Sequence, residues 1–277
     1  MRLLFIGDII GKPGREVVAN VLPKLVSEYS LDLVVANGEN LAGGFGITRN
    51  LYGKLLHYGV DIVTSGNHIF DRQDASDLLE KENRILRPAN YPSEVPGKGF
   101  ILYQSIKKAD LKKAAVVNLI GRVYMNTSEC PFRIMKELLP LLQENTRIII
   151  VDFHAEATAE KQAMGFFLDG WVSIVIGTHT HVQTADERIL PKGTGFITDV
   201  GMTGPFDSVI GMRKEGSIKK FITGMPVRYK IASEDLRFNG LIAEIDDETG
   251  KCLSLSRLNF IYEGPKICLS GDKDDED

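Results

Sequence analysis

The chain has 277 residues, 43% of them hydrophobic and 25% charged, enough apolar content to bury a core without disulfides or a partner. A formal net charge of -4 excludes the broad basic surplus that holds a protein on long nucleic acid, while a small anionic substrate responds to local charge and stays open. No run approaches the ~18 consecutive apolar residues of a spanning helix, and Cys130, Cys252 and Cys268 lack metal-knot or disulfide spacing. A cytoplasmic protein with structural thiols is the expectation.

In chain order, the short apolar run LLFIG reads as a buried strand leading to Asp8. Residues 15–29 follow as a helix, with Val17, Val18, Val21, Leu22 and Leu25 at helical spacing and Pro23 in the middle. LDLVVAN leads to Gly38-Glu39-Asn40, and VDIVTSG leads to Asn67-His68. The stretch from about residue 70 to 145 is harder to read, and its PANYPSEVPGKG segment predicts a turn or surface loop. IIIVDF then precedes His154, and VSIVIGT precedes His179. Strands alternating with helices predict an α/β protein whose ligands bind at the strand C-terminal ends. FITDVGM, PVRYKIAS and residues 239–260 predict further antiparallel strands, with Asp246 to Gly250 as a hairpin connection. One domain is expected over residues 1–268, followed by a solvated acidic tail at 269–277.

Four of the five histidines sit just after strand-like runs, beside Asn, Thr, Asp or Glu. One histidine at a strand end is ordinarily a hydrogen-bonded structural residue, but this group would converge on one rim of the sheet with Asp8 and Glu39-Asn40. In an extended segment His179 and His181 would point to the same side. Paired metals about 3.5–4 Å apart serve in-line phosphoryl displacement, and mixed imidazole and carboxylate ligands suit iron, manganese or zinc.

The segments GDIIGKPGR, NGEN, GNHIFD, DFHAEAT, GTHTHVQTAD and ITDVGMTGP resemble those of the YmdB-like metallophosphoesterases, along nearly the whole chain apart from the tail. GNH followed far downstream by GTHTH is similar to signatures of the wider calcineurin-like phosphoesterase superfamily. That superfamily opens with D-x-H and uses a second Asp, where this chain has Asp8-Ile9-Ile10 and Glu39; the narrower family shares the Glu-Asn pair. The resemblance implies a four-layer α/β/β/α sandwich with two mixed sheets flanked by helices. It implies that Asp8, Glu39, Asn40 and His181 bind one metal ion and Glu39, Asn67, His154 and His179 the other, with Glu39 bridging and His68 as general acid. Iron is the implied metal, with manganese or zinc as alternatives. A hydroxide shared by the two cations would be the nucleophile. The implied substrates are 2',3'- or 3',5'-cyclic nucleotides. The partners expected are therefore a small phosphodiester, with no membrane and no long nucleic acid, and a homo-oligomer is compatible with the sequence.

Weaker signals remain. Gly7, Gly11 and Gly14 with Lys12 fail as a P-loop, because Pro13 stands where Ser or Thr is needed; a tight turn that positions Asp8 is favoured, with Lys12 or Arg15 as phosphate contacts. His154-Ala155-Glu156 lacks the downstream cysteines of a zinc deaminase, so Glu156 is read as orienting His154 or a neighbour. His57 is read as a surface or structural residue, and Gly201 to Asp207 as either a pocket wall, a subunit contact or a rigid turn. Two other functions fit the same site: a regulatory nucleotide sensor and a nucleotide monoesterase.

Overall fold

The computed structural model describes residues 1–104 and 113–264. Cys268 and the acidic tail expected over 269–277 lie outside the described residues. The first half runs β1 (Arg2–Ile6), β2 (Asp8–Ile9), α1 (Gly11–Glu28), β3 (Leu33–Asn37), α2 (Arg49–Tyr58), β4 (Ile62–Thr64) and α3 (Ala75–Lys81). Then come β5 (Phe100–Tyr103), β6 (Ala114–Ile120), α4 (Pro131–Asn145), β7 (Ile148–His154), α5 (Thr158–Leu168) and β8 (Ile174–Thr178). The chain continues with β9 (Arg188–Ile189), β10 (Gly195–Ile197), β11 (Met202–Pro205), α6 (Lys214–Thr223), β12 (Leu236–Ile245) and β13 (Cys252–Ile261).

Two mixed sheets form. The first has the order β2-β11-β12-β1-β3-β4 with β13 on β12, and the second β5-β6-β7-β8-β10-β9. Parallel pairs β1/β3, β3/β4, β6/β7 and β7/β8 point their C-terminal ends the same way within each sheet. Strand alternation then sorts the apolar side chains into three layers. Leu4 and Ile6 pack outward with Val17, Val18 and Leu22 of α1, while Leu3 and Phe5 pack inward with Ile148, Ile150, Ile174 and Ile176 of the second sheet. Ile149 and Val151 face out again, onto Met135 of α4 and Met164 of α5. An α/β/β/α sandwich buries every one of these alternating faces.

Helix α1 starts four residues before the expected Arg15. Pro13 lies in its first turn, where backbone N–H groups have no intrahelical acceptor, and Pro23 sits on an exposed face. The unread insert holds β5, β6, α3 and α4; AAVVNLI, fully buried as β6, is an apolar run that marks a strand in the sequence. FITDVGM divides between β10 and β11. The strand expected over 226–233 is absent, with a single bridge from Met212 to Ile231 in its place. Pro226 supplies no N–H to a ladder, and Val227, Tyr229 and Ile231, which alternate with Arg228 and Lys230, stay only half-buried. The hairpin at 246–250 is present, closed by Asp246 Oδ1 accepting from Thr249 N at 2.7 Å. Among the described residues no helix is long and apolar enough to cross a membrane.

Ile150→Ala opens a hole between the two sheets and should lower stability by about 2–5 kcal/mol in urea unfolding; a loss below about 1 kcal/mol would contradict a tightly packed inter-sheet layer.

Candidate metal centre and active-site cavity

Seven polar residues come together just past the C-terminal ends of five strands. Asp8 follows β1, Glu39 and Asn40 follow β3, Asn67 follows β4, His154 closes β7, and His179 and His181 follow β8. The expected rim of one sheet is in fact a seam: β1, β3 and β4 belong to the first sheet, β7 and β8 to the second.

His154 is the hub. Its Nε2 lies 3.0 Å from Glu39 Oε1, 3.1 Å from Asn67 Oδ1 and 3.0 Å from His179 Nδ1. Its other nitrogen, Nδ1, lies 2.9 Å from Thr178 Oγ1, whose hydroxyl donates to Asp152 Oδ1 at 2.8 Å. Nδ1 therefore carries the hydrogen and Nε2 offers a lone pair. Four acceptor atoms then crowd one point, an arrangement that repels itself unless a cation sits among them. A proton is the smallest such cation. Burial disfavours the charged ring, yet the Glu39 carboxylate outweighs it and holds His154 up at about 9. Burial would raise Glu39 as well, but His154 draws it down to about 2. His179 falls to about 3, through burial and the neighbouring His154 charge. Gly66 makes the approach possible, because a Cβ there would collide with the His154 ring and with Glu39 Oε2.

A second group adjoins the first. Asp8 is fully buried, which pushes its carboxyl up, and its Oδ1 has no hydrogen-bond partner. That oxygen lies 3.9 Å from His181 Nε2 and 4.0 Å from His154 Nδ1. Asn40 Oδ1 is likewise buried and unpartnered, while its Nδ2 donates to the Gly44 carbonyl at 3.0 Å. His181 Nδ1 donates to the Ile210 carbonyl at 3.0 Å, turning Nε2 toward Asp8. Unpaired buried oxygens and forward-facing imidazole nitrogens fit a metal-binding donor set. Among the described residues, ligand atoms of Glu39, His154 and His179 all lie within 4.8 Å of one another.

The two histidines after β8 do not converge by strand alternation. His179 has φ 99° and His181 φ 63°, both left-handed, so a tight loop rather than an extended segment aims them. Thr180 anchors that loop, its N and Oγ1 donating to Asp199 Oδ2 at 3.1 and 2.8 Å. Asp199 is paired in turn with Lys161 Nζ at 2.6 Å, and both are buried. Asp199 belongs to the ITDVGMTGP segment but nothing in the sequence assigns it this partner, and Lys161 is marked by no motif.

A cavity of 380 Å³ opens beside the cluster, lined by Glu39, His68, His179 and His181 and walled by Phe45, Met212, Phe221 and Tyr229. His68 edges the Phe45 ring at 5.0 Å, its backbone N donates to Glu39 Oε2 at 3.1 Å, and its Nδ1 lies 2.7 Å from Asp71 Oδ2. The turn GNHIFD contains Asp71, and i+3 spacing was the available signal for this pairing. Glu156 does orient a neighbour: its Oε2 lies 3.1 Å from His179 Nε2. Arg15 is buried and donates to the Leu41 carbonyl, so it is a structural cation rather than a phosphate contact. Lys12 lies outside the cavity lining, and His57 is exposed on α2. Residues 202–205 form β11 between β2 and β12, making that segment rigid scaffold; Val209, Ile210 and Met212 wall the cavity instead.

The family model for YmdB-like proteins matches residues 4–258. The chain belongs to the YmdB-like family. It is 46% identical over 258 residues to a 2',3'-cyclic-nucleotide 2'-phosphodiesterase of Bacillus subtilis (strain 168), covering 93% of this chain and 96% of that protein. A crystal structure of a hypothetical protein from Thermus thermophilus superposes with a TM-score of 0.87 at 41% identity, covering 94% of this chain and 99% of the other. The crystal structure of a phosphatase from Mycoplasma pneumoniae gives the same TM-score of 0.87 at 35% identity, with 94% and 93% covered. The YmdB-like fold therefore spans the described sandwich, and the strand-end cluster lies within the matched region.

Lys161→Ala strands a buried carboxylate beneath the His179–His181 loop. It should cost about 3–5 kcal/mol in chemical denaturation; a variant as stable as the parent would show that Asp199 does not depend on its ion pair.

Proposed function

We propose that this YmdB-like protein is a metal-dependent phosphodiesterase that opens cyclic nucleotides, 2',3'-cyclic AMP among them. The observation that carries the reading is the crowding of Glu39, Asn67 and His179 acceptors around His154 Nε2, next to the unpartnered Asp8 and Asn40 oxygens. Asp8, Glu39, Asn40 and His181 would hold one ion and Glu39, Asn67, His154 and His179 the second, with Glu39 shared. Mixed nitrogen and oxygen donors suit iron, manganese or zinc, and iron is the one that the family resemblance implies. When bound, such ions supply a nucleophile from water at neutral pH and stabilise charge gathering on the phosphoryl oxygens.

The remaining work falls to the protein's own side chains. Asp71 accepts from His68 Nδ1 and fixes the ring, leaving Nε2 as the nitrogen free to protonate the departing sugar oxygen. Phe45, Met212, Phe221 and Tyr229 give the cavity an apolar body suited to a nucleobase, while its charged end meets the phosphate. The similarity to the Bacillus subtilis enzyme supports the 2',3'-cyclic ester as the first substrate. Hydrolysis of 3',5'-cyclic esters and a cytoplasmic setting complete the reading.

Purified protein should hydrolyse 2',3'-cyclic AMP faster than AMP, lose activity on chelation and regain it with iron or manganese. Preferential turnover of AMP would make it a monoesterase, and saturable binding without product would make it a sensor. His68→Ala should lower kcat by about 10²–10⁴-fold with metal content unchanged by elemental analysis; retained turnover would remove His68 from the acid role.

A further inference from the structure

The segment from Arg213 to Lys230 departs from the rest of the chain in charge. It carries six cations, Arg213, Lys214, Lys219, Lys220, Arg228 and Lys230, against the one carboxylate of Glu215, in a protein whose formal net charge is -4. A charge run on a solvated helix needs no partner. This helix also exposes apolar side chains that solvation does not explain: Phe221 is 83% exposed, Ile222 78% and Met225, just beyond its end, 61%. Of α6 only Ser217 is buried.

The same segment reaches the catalytic cavity. Ser217, Phe221 and Tyr229 line it together with His68 and His181, and Lys220 Nζ stands 5.2 Å from the centre of the Tyr229 ring. Cations beside exposed aromatic faces are the combination that holds single-stranded nucleic acid, the charges tracking phosphates and the rings stacking bases. A cavity of 380 Å³ takes one terminal nucleotide; further nucleotides of a strand have to leave past its exposed wall. In an RNA strand a 2',3'-cyclic phosphate closes the 3' end, so the chain continues away from the reacting phosphorus through the 5' oxygen.

We propose that α6 and the segment to Lys230 form a platform for single-stranded RNA ending in a 2',3'-cyclic phosphate, so that the enzyme acts on RNA ends as well as on free cyclic nucleotides. The inference rests on the phosphodiesterase reading of the cavity. Water adds to phosphorus, the bond from phosphorus to the 2' oxygen breaks, that oxygen takes a proton, and the strand ends in a 3'-phosphate. Cations with isoleucine and phenylalanine would also suit an anionic lipid surface. RNA is favoured because the platform runs directly into a site for a nucleotide ester and presents aromatic faces to it.

The test compares the intact parent protein with the variant Lys219→Glu/Arg228→Glu/Lys230→Glu, none of whose positions lines the cavity. The substrates are 2',3'-cyclic AMP and an RNA of about ten nucleotides with a 2',3'-cyclic end, long enough to cross a site of the usual single-strand size. For the RNA, KM should be lower than for the mononucleotide in the parent, and should rise at least tenfold in the variant. The mononucleotide KM should stay within twofold. The dependence of log KM for RNA on log salt should lose about two units of slope, as three phosphate contacts vanish. Equal effects on both substrates, or no preference for RNA in the parent, would overturn the platform. If neither substrate is turned over, the activity reading fails on its own. Fluorescence anisotropy of a labelled RNA with a 3'-phosphate then decides the platform: salt-sensitive binding lost in the variant upholds it, and no binding overturns it. Binding to phosphatidylglycerol vesicles that the variant loses, with RNA indifferent to the substitutions, would assign the surface to lipid instead and also overturn it.

Discussion

Around His154 Nε2 the chain brings three further acceptors to about hydrogen-bond distance, and only a proton on the ring or another cation among them separates their lone pairs. Most of the architecture follows from satisfying that condition. The register that sets His154 opposite Thr178 also places the Thr178 hydroxyl under the imidazole, fixing which nitrogen faces the cluster. Gly66 clears the space above the ring, and Asn37 bridges the two sheets by donating to Asp152 Oδ2 at 3.4 Å. Buried like-signed lone pairs are costly, so the surrounding packing has to be rigid enough to hold them until a cation arrives.

Much of the site could be read from the order of residues, because strands ending in Asn, His or Asp give both an element and a position. LLFIG, LDLVVAN and IIIVDF are short apolar runs with abrupt polar ends, and they lead into Asp8, Glu39 and His154 of the strand-end cluster in turn. The paired sheets came from family resemblance rather than from pattern, since Ile148 and Ile149 look alike in sequence and face opposite layers. Three features escaped. The PVRYKIAS segment alternates as a strand does, yet it pairs only through the single bridge from Ile231 to Met212. The geometry of His179 and His181 depends on left-handed backbone that no residue type there announces. The cavity walls, Phe45, Met212, Phe221 and Tyr229, come from three separate loops and a helix that only the folded chain assembles.

The support beneath the site divides into two kinds of interaction. Direct partners such as Thr178, Glu156 and the Ile210 carbonyl orient individual rings. Farther out, the Lys161–Asp199 pair fixes the loop between His179 and His181, tying helix α5 to the segment after β10. A buried ion pair contributes little net stability by itself, and its value here is in determining one loop conformation over others. The energetic cost of left-handed φ at two histidines is thereby offset by contacts that lie outside the cluster.

Because the donor atoms are divided between strands of both sheets, an ion bound there would act as a rivet through the sandwich. Sliding one sheet against the other would stretch the bonds to Asp8 and Glu39 on one side against those to His154 and His179 on the other. Chemical competence and mechanical coherence of the two halves would then share a single fastening, and the metal-free protein would be the looser object as well as the inactive one.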